Sequence, residues 1–220
     1  MLILAIDTSG KTASVAAAQA EDGNQVLLGQ RMLYTARAHS QILLPMAKAL
    51  LTETGHTVSD VDLFAVANGP GSYTGLRIGI AAVQAMAFAG GKPCTGISTL
   101  EGLAWNLCAV RGVICAAMCA RQNLLYAAFF ESDGRIVRRL TEDTVIAAED
   151  CAAQLEAYGQ PVTVAGDGFA LLKEHTAKGI AAPMHLGLQS AAGICMAALH
   201  TEAALPEALT VCYLQEVKIG

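Results

Sequence analysis

Apolar residues in this chain fall in short dense runs, and the period of each run predicts an element. The first run, Leu2 to Ile6, ends in Asp7 and reads as a buried strand. Thr12 to Ala20 predicts a second strand, EDGN at 21–24 a turn, and 25–34 a third strand, so the chain opens on antiparallel pairing. SQILLPMAKALLTET at 40–54 has helical spacing, and Pro45 inside it predicts a kink or a later start. LFAVANG at 63–69 is a strand running into a glycine loop. A second helix follows over 73–90, then a strand over 92–98 and a third helix over 99–109.

The pattern then restarts. Strands are expected at 112–120, 123–132 and 135–146, a helix at 148–159, a strand into a second glycine turn at 162–168, and helices at 169–178 and 190–204. Three strands, helix, strand, glycine turn, helix thus occurs twice. The expectation is a duplicated α/β fold with mixed sheets, whose lobes cover 1–107 and 108–220 with the boundary near 104–111. The repeat lies in pattern, not in residue identity.

Composition narrows the class. At 220 residues, 54% of them hydrophobic and 15% charged, the chain buries a substantial core. The run before Asp7 is far too short to span a bilayer and lacks the basic start and cleavage site of an export signal, so a cytoplasmic protein without a membrane partner is expected. Seven cysteines without a C-x-x-C spacing read as reduced residues, with Cys115 and Cys119 on one face of a strand. The net charge of −5, with no basic run, disfavours autonomous binding of nucleic acid.

AIDTSGKT at 5–12 nearly satisfies the phosphate loop G-x-x-x-x-G-K-[ST], but that motif needs a helix after it, whereas TASVAAAQA reads as a hairpin strand and Asp7 would repel phosphate. The alternative is a strand, Asp-Thr-Ser turn, strand hairpin. It is either a plain turn or one resembling the hairpin of the actin and sugar kinase superfamily, where the Asp organises magnesium and turn amides approach phosphate. Asp7, Thr8, Ser9, Gly69 and Gly71 are the weak cofactor-binding candidates on that reading. His39, His56, His175, His185 and His200 are dispersed, without the H-x-x-x-H or H-E-x-x-H spacing of a metal site. No G-x-S-x-G elbow is present, and Ser72 reads as a helix N-cap, so no catalytic residue is assigned.

The helix after the glycine loop raises a packing question. In 73–90 the strongly polar side chains are Arg77 and Gln84, on one stripe, while Gly75, Gly79, Ala82 and Ala85 give it small surfaces. A helix apolar nearly all round is buried nearly all round. Helix 40–54 has the same excess, through Ile42, Leu43, Leu44, Met46, Leu50 and Leu51. Either packing inside the lobe absorbs both, or they form an interface with another subunit. The expected interface is Leu43, Met46, Leu50, Tyr73, Leu76, Arg77, Ile80, Val83 and Gln84.

Four blocks, ILAIDTS at 3–9, HSQILLP at 39–45, GPGSYTGLRIG at 69–79 and GISTLEGLA at 96–104, strongly resemble the TsaB family of tRNA threonylcarbamoyladenosine biosynthesis proteins, formerly called YeaZ. They cover about half the chain; the second half matches mostly by pattern. The resemblance implies an actin-like, ribonuclease H-like fold of two related lobes. It also implies a degenerate relative of TsaD, the threonylcarbamoyl-transferring subunit, whose H-x-x-x-H metal positions correspond to Thr99 and Leu103 here. Leu103 has no ligating atom. Where the family usually has Asp-Ala-Arg before the second-lobe hairpin, this chain has Cys119-Ala120-Arg121. What the resemblance implies is therefore a non-catalytic partner that pairs with a TsaD-like subunit and is joined by a TsaE-like ATPase. ATP or ADP and the metal are held by those partners, tRNA is met only through the complex, and the chain self-associates when alone. The rivals are an independent ATP-using enzyme with Asp7, Thr8 and Gly69–Gly71 around the phosphates, and a metallopeptidase.

Overall fold

The computed structural model describes residues 1–21, 24–35 and 39–214. Part of the expected EDGN turn, Asp22 and Gly23, lies outside the described residues. The chain divides into two compact units: Met1–Gly102 with Gln189–Cys212, and Leu103–Leu188 with Tyr213 and Leu214.

Unit 1 holds β1 (Leu2–Asp7), β2 (Thr12–Glu21), β3 (Asn24–Tyr34), α1 (His39–Glu53), β4 (Leu63–Gly69), α2 (Tyr73–Gly90) and β5 (Cys94–Ser98). The sheet order is β3-β2-β1-β4-β5, antiparallel across the first three strands and parallel from β1 to β5. β1 is buried along its whole length, as the central strand of a covered sheet must be. α1 begins where the helical period begins and runs through Pro45 rather than starting after it. Pro45 is exposed, so the ring points away from the core that α1 buries. Ser72 caps α2 by accepting from the Gly75 amide at 3.2 Å, and Gly91 ends it in the left-handed region at φ 60°.

α3 (Thr99–Trp105) leads to unit 2, with β6 (Gly112–Cys119), β7 (Leu124–Ser132), β8 (Val137–Arg139), β9 (Thr144–Ala147), α4 (Ala148–Ala157), β10 (Val162–Ala165), α5 (Phe169–Leu172) and β11 (Gly179–Ala181). Its order, β11-β10-β6-β7-β8, repeats that of unit 1 with the same strand directions, so the duplication is structural. Two departures from expectation have local causes. The single strand expected at 135–146 is broken into β8 and β9 by the turn at 140–143, where Arg139 bonds Asp143 at 2.5 Å. The helix expected at 169–178 closes after one turn.

The expected boundary at 107/108 is displaced, and the second lobe is not continuous. α6 (Ala191–Ala198) belongs to unit 1. Its Ala191, Gly193, Ile194, Cys195, Ala197 and Ala198 are buried, and it packs on β1, β2 and β4. A helix this apolar is stable only between other elements. Beyond it Ala204 bridges Cys94 at the β5 edge, and the Cys212 amide donates to the Asn68 carbonyl at 2.8 Å. Among the described residues, no helix is long and apolar enough to cross a membrane.

Candidate functional site

The carboxyl ends of β1 and β4 bring the Asp-Thr-Ser turn against the glycine loop. In open α/β sheets this is where ligands bind. Asp7, Thr8 and Ser9 are all buried there. The Ser9 amide and hydroxyl both donate to Asp7 Oδ1, at 2.9 and 2.6 Å. Thr8 Oγ1 donates to the Gly75 carbonyl at 2.7 Å, and the Ser72 amide donates to the Ser9 carbonyl at 2.7 Å. Asp7 pairs in register with Ser14, so a hairpin and not a helix follows the turn, and the phosphate-loop reading of AIDTSGKT fails.

The glycines explain how closely the loop sits. A Cβ on Gly75 would lie 2.0 Å from the Thr8 carbonyl oxygen, and one on Gly71 2.4 Å from that of Ser9. Gly69, at φ 129°, meets the Cys212 carbonyl oxygen, which a Cβ would approach to 2.2 Å. Gln189 closes the far side of the turn: its side chain packs on Gly10 and its carbonyl accepts from Thr12 Oγ1 at 2.9 Å. Backbone and side chains of the chain itself thus fill the space between turn and loop.

Unit 2 repeats the geometry with its carboxylate moved. β6 ends on Cys119 where β1 ends on Asp7, and the acid instead comes from the glycine turn, where Asp167 Oδ1 accepts from the Cys119 amide at 2.8 Å. Gly166 and Gly168 are pressed on Ala117, and their amides donate to the carbonyls of Gly187 and Ala117. The two glycine amides of AGDGFA are therefore engaged within the protein. Among the described residues no cluster of His, Cys, Asp and Glu is arranged to hold a metal. Thr99 is buried, and its hydroxyl has no hydrogen-bond partner among the described residues.

The expected interface residues separate into two groups. Leu43, Met46, Leu50, Ile80 and Val83 are buried in one core cluster with Leu4, Ile6, Phe64 and Val66, and Leu76 is fully buried as well. The sheet itself absorbs them, because Gly75 and Gly79 let α2 sit directly on β1 and β4. These six are core residues, not surface ones. Tyr73 and Arg77 are exposed, with the guanidinium 4.1 Å above the ring. Gln84 is half-buried and donates to the carbonyls of Pro206 and Leu209, at 2.9 and 3.1 Å. The outer stripe of α2 is Thr74, Arg77, Ala81, Ala85 and Phe88, the last 67% exposed. α1 beside it exposes Leu44 and Pro45. Between α2 and the returning chain lies a shallow groove of about 480 Å³, lined by Gln84, Ala85, Phe88, Ala89, Pro206 and Glu207. Phe88 was visible in the helical pattern; the partners of Gln84 lie more than 120 residues away in sequence and were not.

The duplicated strand order, with the Asp-Thr-Ser hairpin and the glycine loop at the head of α2, defines an actin-like duplicated fold. A family model described as TsaD, tRNA N6-adenosine threonylcarbamoyltransferase, matches residues 33–216. The chain is 30% identical over 174 residues to the tRNA threonylcarbamoyladenosine biosynthesis protein TsaB of Bacillus subtilis, 79% of this chain and 74% of that one. It is 36% identical over 135 residues to the Escherichia coli TsaB, covering 60% of this chain and 56% of that protein. The solved YeaZ of Pseudomonas aeruginosa matches with a TM-score of 0.82 at 30% identity, over 97% of this chain and 99% of that one. A ROK hexokinase from Thermus thermophilus, at 12% identity and a TM-score of 0.51 over 92% of this chain and 100% of that one, shares the fold. The chain belongs to the TsaB family.

Proposed function

We propose that this chain serves tRNA threonylcarbamoyladenosine biosynthesis as a non-catalytic subunit, pairing with a TsaD-like threonylcarbamoyltransferase and supporting its active conformation. The observation that carries the reading is the closed turn. Ser72, Gly75 and Gln189 bond to or pack against Ser9, Thr8 and Gly10, so the turn's own groups are engaged within the chain. The outer stripe of α2 supports it too. Ala81, Ala85 and Phe88 form a flat apolar face with Arg77 at one end, suited to a helix of another subunit. ATP, ADP and metal then belong to the partners, a TsaE-like ATPase among them. The net charge of −5 leaves most tRNA phosphate contacts to other chains of a cytoplasmic complex.

Reconstitution tests this. The purified chain is combined with the catalytic subunit, the ATPase, the adenylate-forming enzyme, ATP, bicarbonate, threonine and unmodified tRNA, and each component is omitted in turn. Modification that requires this chain, together with no magnesium-dependent ATP binding by the chain alone, is the expected result. Full modification without it refutes the role.

A further inference from the structure

We propose that the β7–β8 end of unit 2 is a phosphate-binding surface, and that its occupant is the sugar-phosphate backbone of the tRNA; this rests on the function proposed above. Gly112 and Ser132 pair across β6 and β7, which brings Arg111 beside the turn at 133–136. The Arg111 side chain lies over Gly134, where a Cβ would meet its Nε at 3.0 Å. Arg135 lies in the same turn, and Arg138 follows it on β8. All three arginines are exposed, and among the described residues none of them is in an ion pair. Arg139, by contrast, is engaged by Asp143.

Two carboxylates stand nearby. Asp133 Oδ1 accepts from the Ile136 and Arg135 amides, both at 2.9 Å, which directs it at the turn backbone. Those amides, with Arg138 and Arg111 beyond them, hold the Asp133 carboxyl below the usual carboxylate range. Glu131 is set opposite Arg138 across the strand pair without closing an ion pair. The charge of unit 2 is also divided along the chain. Residues 111–139 hold five arginines against Glu131 and Asp133, whereas 142–174 hold seven acids against Lys173. A surface that needs only solubility intersperses the two signs.

The chemistry of the side chains selects phosphate. Charge is a common guard on an edge strand, and β8 ends the order β11-β10-β6-β7-β8. Edge protection does not account for Arg111, which precedes the interior strand β6. All three cations are arginine, whose guanidinium fork matches phosphate oxygens bidentately and keeps its charge at any working pH. Arg135 and Arg138 stand three residues apart, about 10 Å along an extended chain. The surface is therefore a short track, suited to a polyanion rather than to a single small anion. Three such contacts do not hold RNA unaided in a chain of net charge −5; they add to those of the assembly.

The probe is fluorescently labelled, unmodified tRNA, titrated by anisotropy with the complex of this chain and its TsaD-like and TsaE-like partners. Combining Arg111→Gln, Arg135→Gln and Arg138→Gln should weaken binding about tenfold, with circular dichroism unchanged. The slope of log K against log salt should fall by about two to three. Lysine at the same three positions should restore most of that slope. Sedimentation of the same samples reports whether the subunits assemble. Unchanged tRNA affinity in an intact complex overturns the proposal. So does a glutamine variant whose defect is loss of a subunit, since the patch then meets an acidic protein surface. Where the native chain forms no complex, the function proposed above fails by itself, and the patch is judged on the chain alone with the same tRNA at low salt. Binding lost in the glutamine variant then upholds it, and equal binding, or no binding by the native chain, overturns it.

Discussion

Gly75→Ala probes the closure of the Asp-Thr-Ser turn directly. The added methyl would stand 2.0 Å from the Thr8 carbonyl oxygen. Ordinary contact needs more than an ångström of further separation, and the obstructing atom is backbone, which cannot rotate away. Moving α2 that far strains the Thr8 to Gly75 and Ser72 to Ser9 bonds, both 2.7 Å in the native chain. Overpacking of this kind costs about 1–3 kcal/mol, and each hydrogen bond lost adds roughly 1 kcal/mol. The better helix propensity of alanine returns about 1 kcal/mol. The net expectation is a loss of about 2–4 kcal/mol, or a fall in Tm of roughly 5–15 °C for a chain of this size. Urea unfolding followed by circular dichroism measures it. Gly79→Ala, whose methyl meets Thr8 Oγ1 at 2.6 Å, should lose less, and Gly90→Ala, facing only the Lys92 side chain at 3.3 Å, should lose least. Equal stabilities for all three alanine variants would refute close docking of α2 on the turn.

Ala85→Glu or Phe88→Asp should weaken pairing with a TsaD-like subunit at least tenfold in calorimetry while Tm moves by no more than a few degrees. Val83→Asp, by contrast, buries a charge in the unit 1 core and should leave little folded protein to assay by circular dichroism. A thiol reagent should label Cys119 and Cys212 rapidly in the native chain and reach Cys94, Cys115, Cys151 and Cys195 only on unfolding; mass spectrometry of labelled peptides that finds Cys195 modified early would contradict the packing of α6. Burial pushes the Cys195 thiol from 9.0 up to about 12, so the stability it contributes is complete below pH 9 and is lost as pH rises toward 12. Cys195→Ala should flatten the alkaline decline in urea stability, and an unchanged slope would count against that shift.

Much of the architecture was legible because period and punctuation agree. β1, β4 and α2 fell within a residue or two of their expected limits, each bounded by Asp7, Gly69 or Gly91. β8 and β9 were not separable, since the break between them depends on an ion pair and on pairing with β7 that leave no periodic mark. The Asp-Thr-Ser hairpin was legible, but its closure was not: Gln189 reaches Thr12 across 177 residues. The interface expectation went astray for a related reason. The excess apolar surface on α1 and α2 is not surface to spare: two glycines bring α2 close enough for unit 1 to bury Leu76, Ile80 and Val83 itself. Helical spacing shows which residues share a stripe, but not the depth at which the stripe sits.

The return of residues 189–212 to unit 1 also bears on how the chain is made. Translation proceeds from the first residue, and domains generally fold as they emerge. Here the first sheet emerges with the faces of β1, β2 and β4 lacking their cover, because α6 is encoded after the whole of 103–188. Unit 2, nearly continuous in sequence, has its sheet complete while unit 1 still waits for its last helix and for Cys212 to reach Asn68. The half of the molecule that is synthesised first is therefore finished last, and a chain released early would expose the apolar floor of the very unit that carries the proposed docking face on α2.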